Sequence, residues 1–462
     1  MSSYVTKKTP GDSSWFTADK FGLFIHFGIY AMGGRYEWQK SFERTPEEKY
    51  DIYFKHFNPD MLDARDWARQ AKAAGMKYAV LTTKHHDGFC LFDSKYTDYN
   101  VMNTPYGKDI IKEYADAFRA EGLHVGLYYS LIDWHHPDFP IDWLHPRAED
   151  ANAYELNQGR DMKKYAKYMR DQLEELMTNY GKIDILWCDF SYDRPESGKY
   201  GGFTIPDWMK GKGKDDWEAE ELFKVVRKYQ PNILINDRAG LEQDIVTPEQ
   251  RMVTKWPSHN KTDELLVWET CQTLSGTWGY SRDELTWKDP RTLIEILINT
   301  ACFGGNLIMN VGPTSRGFFD HRAEAALKVY AEWMKYNSRS IYGCTMAEPD
   351  IKEPKGCRLT QSKDGKRLYV HLMEYPFKFL ELPGLAGRVE YAQFLHDGSE
   401  ILINSNPTST MALKYYTERA ESDKPLVLMV PVVKPNDVVP VIELFLKEDD
   451  GSNDFAVSQE IF

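Results

Sequence analysis

From residue 21 to about 340 one unit recurs: an amphipathic helix, a Gly or Pro stop, a short apolar strand, then a polar tip. The helix at 63–74 stops at Gly75 before KYAVLTT, and the helix at 109–121 stops at Gly122 before LHVGLYYS. The helix at 160–180 stops at Gly181 before IDILWCD, that at 215–229 at Pro231 before NILIND, and that at 291–302 at Gly304 and Gly305 before NLIMNV. Glycine supplies the left-handed residue that ends a helix, so each stop is a boundary with a mechanism. Helices alternating with apolar strands need a parallel sheet with helices on its faces. With FGLFIHFG and LLVWET added, seven strands are counted. A (β/α)8-like barrel, irregular or with one poor unit, fits this count better than an open sheet.

After about Tyr342 the pattern changes to short alternating runs, among them GKRLYVHLME, LVLMVPVV and VIELFLK, separated by Gly, Pro, Asn and Asp. These predict an antiparallel β-sandwich. The expected organisation is a catalytic barrel over 1–344, a sandwich over 345–449 and a polar tail over 450–462. The total of 462 residues is long enough for both.

Composition narrows the partners. A net charge of −13 without any Lys/Arg cluster argues against nucleic acid and anionic membranes. Six cysteines without CxxC spacing read as reduced core residues. The stretch MSSYVTKKTPGDSSWF has no apolar signal core, so a soluble cytoplasmic protein is expected, with secretion open to a chain whose signal has been removed. The 13 Trp and 28 Tyr lean towards carbohydrate, because aromatic faces pack against the C–H faces of sugars. They also fit a homo-oligomer, with the loops FLHDGSE and NSNPTST as contact candidates.

Chemistry in such a barrel sits at the carboxyl ends of the strands. In IDILWCDFSYD the side chains alternate, so Ile185, Trp187 and Asp189 share one face and the strand ends in acid. Other tips carry His26, then Lys84 to Asp87, Asn236 to Arg238, Trp268 with Glu269, and Asn310. His85 and His86 would point to opposite faces of a regular strand, and no HxH, HExxH or CxxC pattern occurs, so neither a metal nor another cofactor is expected. No GxGxxG follows the first strand, and no GxSxG is present. Acid–base chemistry by two carboxylates remains.

The segments WFTADKFGLFIHFGIYAMGG, LTTKHHDGFCLFDSKYTDYNV, GLYYSLIDWHHPDF, DILWCDF, NDR with DIVTPEQ, WETCQTLSGTWGY and GGNLIMNVGPTSRG together resemble the α-L-fucosidases of glycoside hydrolase family 29, over residues 15–317. The resemblance implies a barrel followed by a β-sandwich, and a retaining exo-α-L-fucosidase acting on fucosylated glycans. It makes Asp189 the nucleophile and Trp187 an aromatic wall. His26, Glu37, Trp38, His85 and His86 match residues that bind the sugar, and Arg238 matches a basic residue beside it. One tyrosine of LYYS should face the pocket, and Tyr129 is our choice. For the acid/base, Glu249 is favoured and Glu269 is the competitor. Alternatives are an α-L-galactosidase on the same scaffold, a non-catalytic sugar-binding barrel and a metal hydrolase.

Overall fold

The computed structural model describes residues 4–259, 261, 262, 264–404 and 425–447. Of the expected contact loop at 404–410 all but Asn404, and the whole tail at 450–462, lie outside them. The described residues form two compact units, Val5–Ser338 and a second made of Tyr4 and the described residues from Arg339 onward.

The first unit is built on β1 (Phe21–Ile25), β2 (Tyr78–Lys84), β3 (His124–Ser130) and β4 (Ile185–Asp189). A two-stranded ribbon, β5 (Lys199–Tyr200) and β6 (Phe203–Thr204), follows, then β7 (Leu234–Ile235), β8 (Glu269–Thr273) and β9 (Asn306–Val311). The seven strands other than the ribbon form one parallel sheet in the order β7-β4-β3-β2-β1-β9-β8. Helices Ala64–Ala73, Ile110–Ala120, Met162–Asn179 and Pro290–Cys302 each begin at an aspartate. Asp63, Asp109, Asp161 and Asp289 accept hydrogen bonds from first-turn backbone N–H groups, each cap adding roughly 1 kcal/mol. Gly75 and Gly122 take the left-handed conformation after their helices, at φ 86° and 77°.

The eighth position is filled by a segment too irregular to be a strand. Ile245 bridges Asn236, Val246 bridges Trp268 and Glu249 bridges Cys271, all in parallel sense, so residues 245–249 span the gap between β7 and β8. Backbone bonds from Ile245 N to Ile235 O (3.2 Å) and from Glu269 N to Val246 O (2.9 Å) hold it there. Pro248 lacks a donor N–H, which limits regular pairing. The irregular unit expected from the strand count is this one.

One expected strand is displaced. The apolar run LLVWET would end at Glu269, but β8 begins there. Leu265 to Trp268 instead supply isolated bridges to Thr6, Ser258 and Val246. All of ETCQT is buried although it is polar, so hydropathy does not mark it. Inside the barrel Phe24, Tyr78, Val80, Tyr128, Ile185 and Ile308 form the apolar core beneath the strand ends.

The second unit is antiparallel throughout, as expected. A five-stranded sheet runs in the order β10 (Cys344–Met346), β11 (Cys357–Ser362), β12 (Arg367–Leu372), β17 (Val441–Leu446), β14 (Val389–Phe394). A three-stranded sheet runs β13 (Phe379–Leu382), β16 (Leu426–Met429), β15 (Leu402–Asn404). Leu359, Leu368 and Ile442 from one sheet and Leu382 and Leu428 from the other share one core. Each contributes about 1.5–3 kcal/mol by burial. The division falls at Ser338, earlier than the boundary drawn after Cys344. Ser340 O accepts from Thr360 Oγ1 (2.7 Å) and Arg339 pairs with the buried Glu443 (3.1 Å), which ties this stretch to the sandwich. Among the described residues no helix is long and apolar enough to cross a membrane.

Candidate active site

At the carboxyl ends of the barrel strands lies a cavity of about 390 Å³, its open mouth included. Small-molecule sites span roughly 300–1,000 Å³. His26 follows β1, His85 and His86 follow β2, and Tyr128 comes from β3. Trp187 and Asp189 end β4, and Glu249 ends the bridging segment. Trp38, Phe190 and Trp278 complete the walls.

The two carboxylates converge on one cation. Arg238 Nη1 donates to Asp189 Oδ1 at 3.3 Å and to Glu249 Oε2 at 2.7 Å. The guanidinium is oriented by bonds to Thr247 Oγ1 (3.1 Å) and Thr247 O (3.2 Å), and lies over the Trp187 ring, 4.9 Å from its centre. The other oxygen of Asp189 accepts from the Tyr128 hydroxyl at 2.8 Å. Burial raises the Asp189 carboxyl to about 6, against the pull of Arg238. The residue after each carboxylate, Phe190 (φ 78°) and Gln250 (φ 50°), is left-handed without being glycine. Such backbone costs on the order of 1–3 kcal/mol and clusters at functional sites.

The histidines are neutral. Burial lowers His26 to about 3 and takes His85 and His86 well below 6.5. His26 Nδ1 bonds Asn310 Oδ1 at 2.6 Å, and the Asn310 amide nitrogen donates to Trp278 O at 2.6 Å. In that arrangement the His26 proton sits on Nδ1 and Nε2 is an acceptor. Ser130 Oγ donates to Ile132 O (2.7 Å) and receives His86 Nδ1–H (2.7 Å), which makes His86 Nε2 an acceptor too. That atom stands 3.9 Å from Asp189 Oδ2, too far for a direct bond and suited to a bridging hydroxyl. His85 Nδ1 is buried and unpaired among the described residues. The cavity therefore offers imidazole acceptors and aromatic faces to a ligand rich in hydroxyls.

Several expected positions are corrected. Both His85 and His86 line the cavity, their rings 4.0 Å apart, because the strand ends at Lys84 and strand alternation no longer applies. Tyr129 does not face it. Its hydroxyl donates to Gln172 of the helix Met162–Asn179 at 2.8 Å, and Tyr128, opposite Trp187 in the sheet, takes the inner position. Glu37 is buried outside the lining, accepting from Gly279 N at 2.8 Å and so fixing the loop that carries Trp278. Glu269 lies at the start of its strand, fully buried, with Tyr78 OH (2.6 Å) and Trp187 Nε1 (3.2 Å) donating to it. His26, Trp38 and Trp187 stand at the cavity, and Arg238 links its carboxylates.

Sequence reasoning missed Tyr128, Phe190, Trp278, Phe24 and Cys271. Phe24 carried a signal, being two residues before His26 on the same strand face. Trp278 and Phe190 are loop residues without one.

The model of the family described as alpha-L-fucosidase matches residues 3–339. This chain belongs to that family. It is a glycoside hydrolase of the α-L-fucosidase type. Among solved structures, α-L-fucosidase isoenzyme 1 from Paenibacillus thiaminolyticus is 42% identical, with TM-score 0.84, over 94% of this chain and 99% of that one. A GH29 α-L-fucosidase from Bacteroides thetaiotaomicron, solved as a trapped covalent intermediate with 2-fluoro-fucosyl fluoride, is 26% identical with TM-score 0.76, over 96% and 98% of the two chains. The α-L-fucosidase of Dictyostelium discoideum is 27% identical over 94% of this chain and 92% of its own.

Proposed function

We propose that this family member is a retaining exo-α-L-fucosidase that releases terminal fucose from glycans by double displacement. The observation that carries the reading is the shared bond of Asp189 and Glu249 to Arg238 Nη1 at the wall of the cavity. Bonds of 3.3 and 2.7 Å to one nitrogen keep the two bonded oxygens within about 6 Å, compatible with the ~5–5.5 Å of retaining pairs.

In the proposed cycle an Asp189 oxygen attacks the anomeric carbon while Glu249 gives its proton to the departing oxygen. A fucosyl ester on Asp189 results. Glu249, now a carboxylate, takes a proton from water, whose oxygen displaces Asp189 and restores the starting configuration. Arg238 and the Tyr128 hydroxyl favour the ionised nucleophile, opposing part of the effect of its burial. Glu249 is preferred to Glu269 as acid/base because its side chain is 41% exposed at the cavity, whereas Glu269 is wholly buried and engaged by two donors. The trapped intermediate of the Bacteroides relative supports the covalent route.

The test is hydrolysis of p-nitrophenyl α-L-fucoside, followed by proton NMR from the first turnover. α-L-Fucose should appear first and then mutarotate. β-L-Fucose appearing first would overturn retention, and release from p-nitrophenyl α-L-galactoside alone would overturn the sugar assignment.

A further inference from the structure

Glu269 is joined to the carboxylate pair by a continuous set of contacts. Its Oε1 accepts from Tyr78 OH at 2.6 Å and its Oε2 from Trp187 Nε1 at 3.2 Å. The face of Trp187 carries the guanidinium of Arg238 at 4.9 Å, and Arg238 Nη1 bonds both Asp189 and Glu249. The other ring neighbours of Trp187, Phe24 at 5.0 Å and Tyr128 at 5.9 Å, meet it by ring packing and offer its N–H no acceptor. A buried indole N–H has one donor and needs one acceptor. Glu269 supplies it.

We propose that Glu269 is a positioning residue: by accepting the Trp187 indole N–H it sets the plane on which Arg238 rests, and through Arg238 the mutual placement of Asp189 and Glu249. The inference rests on the proposed roles of those two carboxylates. Glu269 lies outside the cavity lining and is wholly buried behind Trp187. Its burial raises it to about 7, which fits a site without a neighbouring cation, and among the described residues it has no ion-pair partner. The position therefore needs an acceptor more than a charge. Glutamine retains an acceptor for the indole, whereas leucine, of similar size, removes it.

The experiment compares Glu269→Gln and Glu269→Leu, with thermal melts establishing that each is folded. Glu269→Gln should keep kcat within about threefold. Glu269→Leu should lose on the order of tenfold to a hundredfold in kcat, the scale of a displaced catalytic group. Azide should not restore it, because Glu249 is displaced and not removed, which leaves no space at the acid/base position. With indole-15N protein, the Trp187 Nε1–H resonance, assigned by its absence in Trp187→Phe, should move upfield in Glu269→Leu.

Azide rescue would make Glu269 the acid and overturn the proposal. So would an unmoved indole resonance, or a folded Glu269→Leu with full kcat. Should Glu269→Leu not fold, Glu269→Gln decides alone: a loss beyond about threefold overturns the proposal, and kcat within that range supports it. The indole resonance reads the Trp187 contact whatever the substrate, so failure of wild-type fucoside hydrolysis is a separate result.

Discussion

Asp189 and Glu249 share a single nitrogen of Arg238, Nη1, at 3.3 and 2.7 Å. One cation thus opposes the burial of the first and fixes the reach of the second. Removing it as Arg238→Met leaves Asp189 buried without its cation, so its carboxyl should rise above about 6. The nucleophile works ionised, and the acidic limb of kcat/KM should therefore move to higher pH. A limb unchanged in position would show that Arg238 does not tune Asp189.

Asp189→Ala should lower kcat for p-nitrophenyl α-L-fucoside by at least about a thousandfold, the usual scale for a missing nucleophile. Azide should restore turnover and yield β-L-fucosyl azide, inverted because a single displacement remains. Normal turnover in this variant would remove Asp189 from the chemistry.

Glu249→Ala should depend on the leaving group. Dinitrophenyl fucoside, which needs little protonation, should form the ester nearly as fast as with the wild type, while a methyl fucoside should react at least about a hundredfold more slowly. Equal losses for both would return Glu249 to a structural role.

The neighbouring tyrosines should separate cleanly. Tyr128→Phe removes the hydroxyl bonded to Asp189 and should cost about tenfold in kcat/KM. Tyr129→Phe removes the bond to the buried Gln172 and should cost about 1–3 kcal/mol of stability with kcat/KM unchanged. Urea unfolding beside initial rates reads both, and the reverse pattern would contradict the inward side of β3.

Glu269 also marks a pH dependence of stability. Its carboxyl rises from 4.5 to about 7 through burial, so the folded protein holds this proton where the unfolded chain has lost it. The contribution is full below pH 4.5 and is lost as pH rises through 7, on the order of 3 kcal/mol. Glu269→Gln should flatten the fall in unfolding free energy between pH 5 and 7.5. Asp189 and Asp87, each raised to about 6, act in the same direction in both proteins and cancel in the difference. Parallel slopes would refute the assignment.

Asp189 was legible because an apolar strand with clear alternation ends in it, and strand ends carry barrel chemistry. Glu249 was not legible from pattern. Its segment holds to the barrel by isolated bridges and contains a proline, so no strand signature exists, and only the family resemblance marked it. In β3 both sides are buried, one against the barrel interior and one against helices, so Tyr128 and Tyr129 look alike to hydropathy. The same ambiguity moved the sixth strand, whose apolar approach outshone the polar strand itself. His85 and His86 were separated by a rule that ends where the strand does, one residue earlier.

The weakly bridged stretch at 245–249 is the seam of the barrel. The other seven staves pair with one another without it, while Ile245 fills the core and Thr247 orients Arg238, which leaves the exposed residues beyond Glu249 the most open to change. If Glu249 protonates the leaving group as proposed, libraries randomised at the exposed residues beyond it, with the strands held fixed, are the economical route to new aglycone preferences.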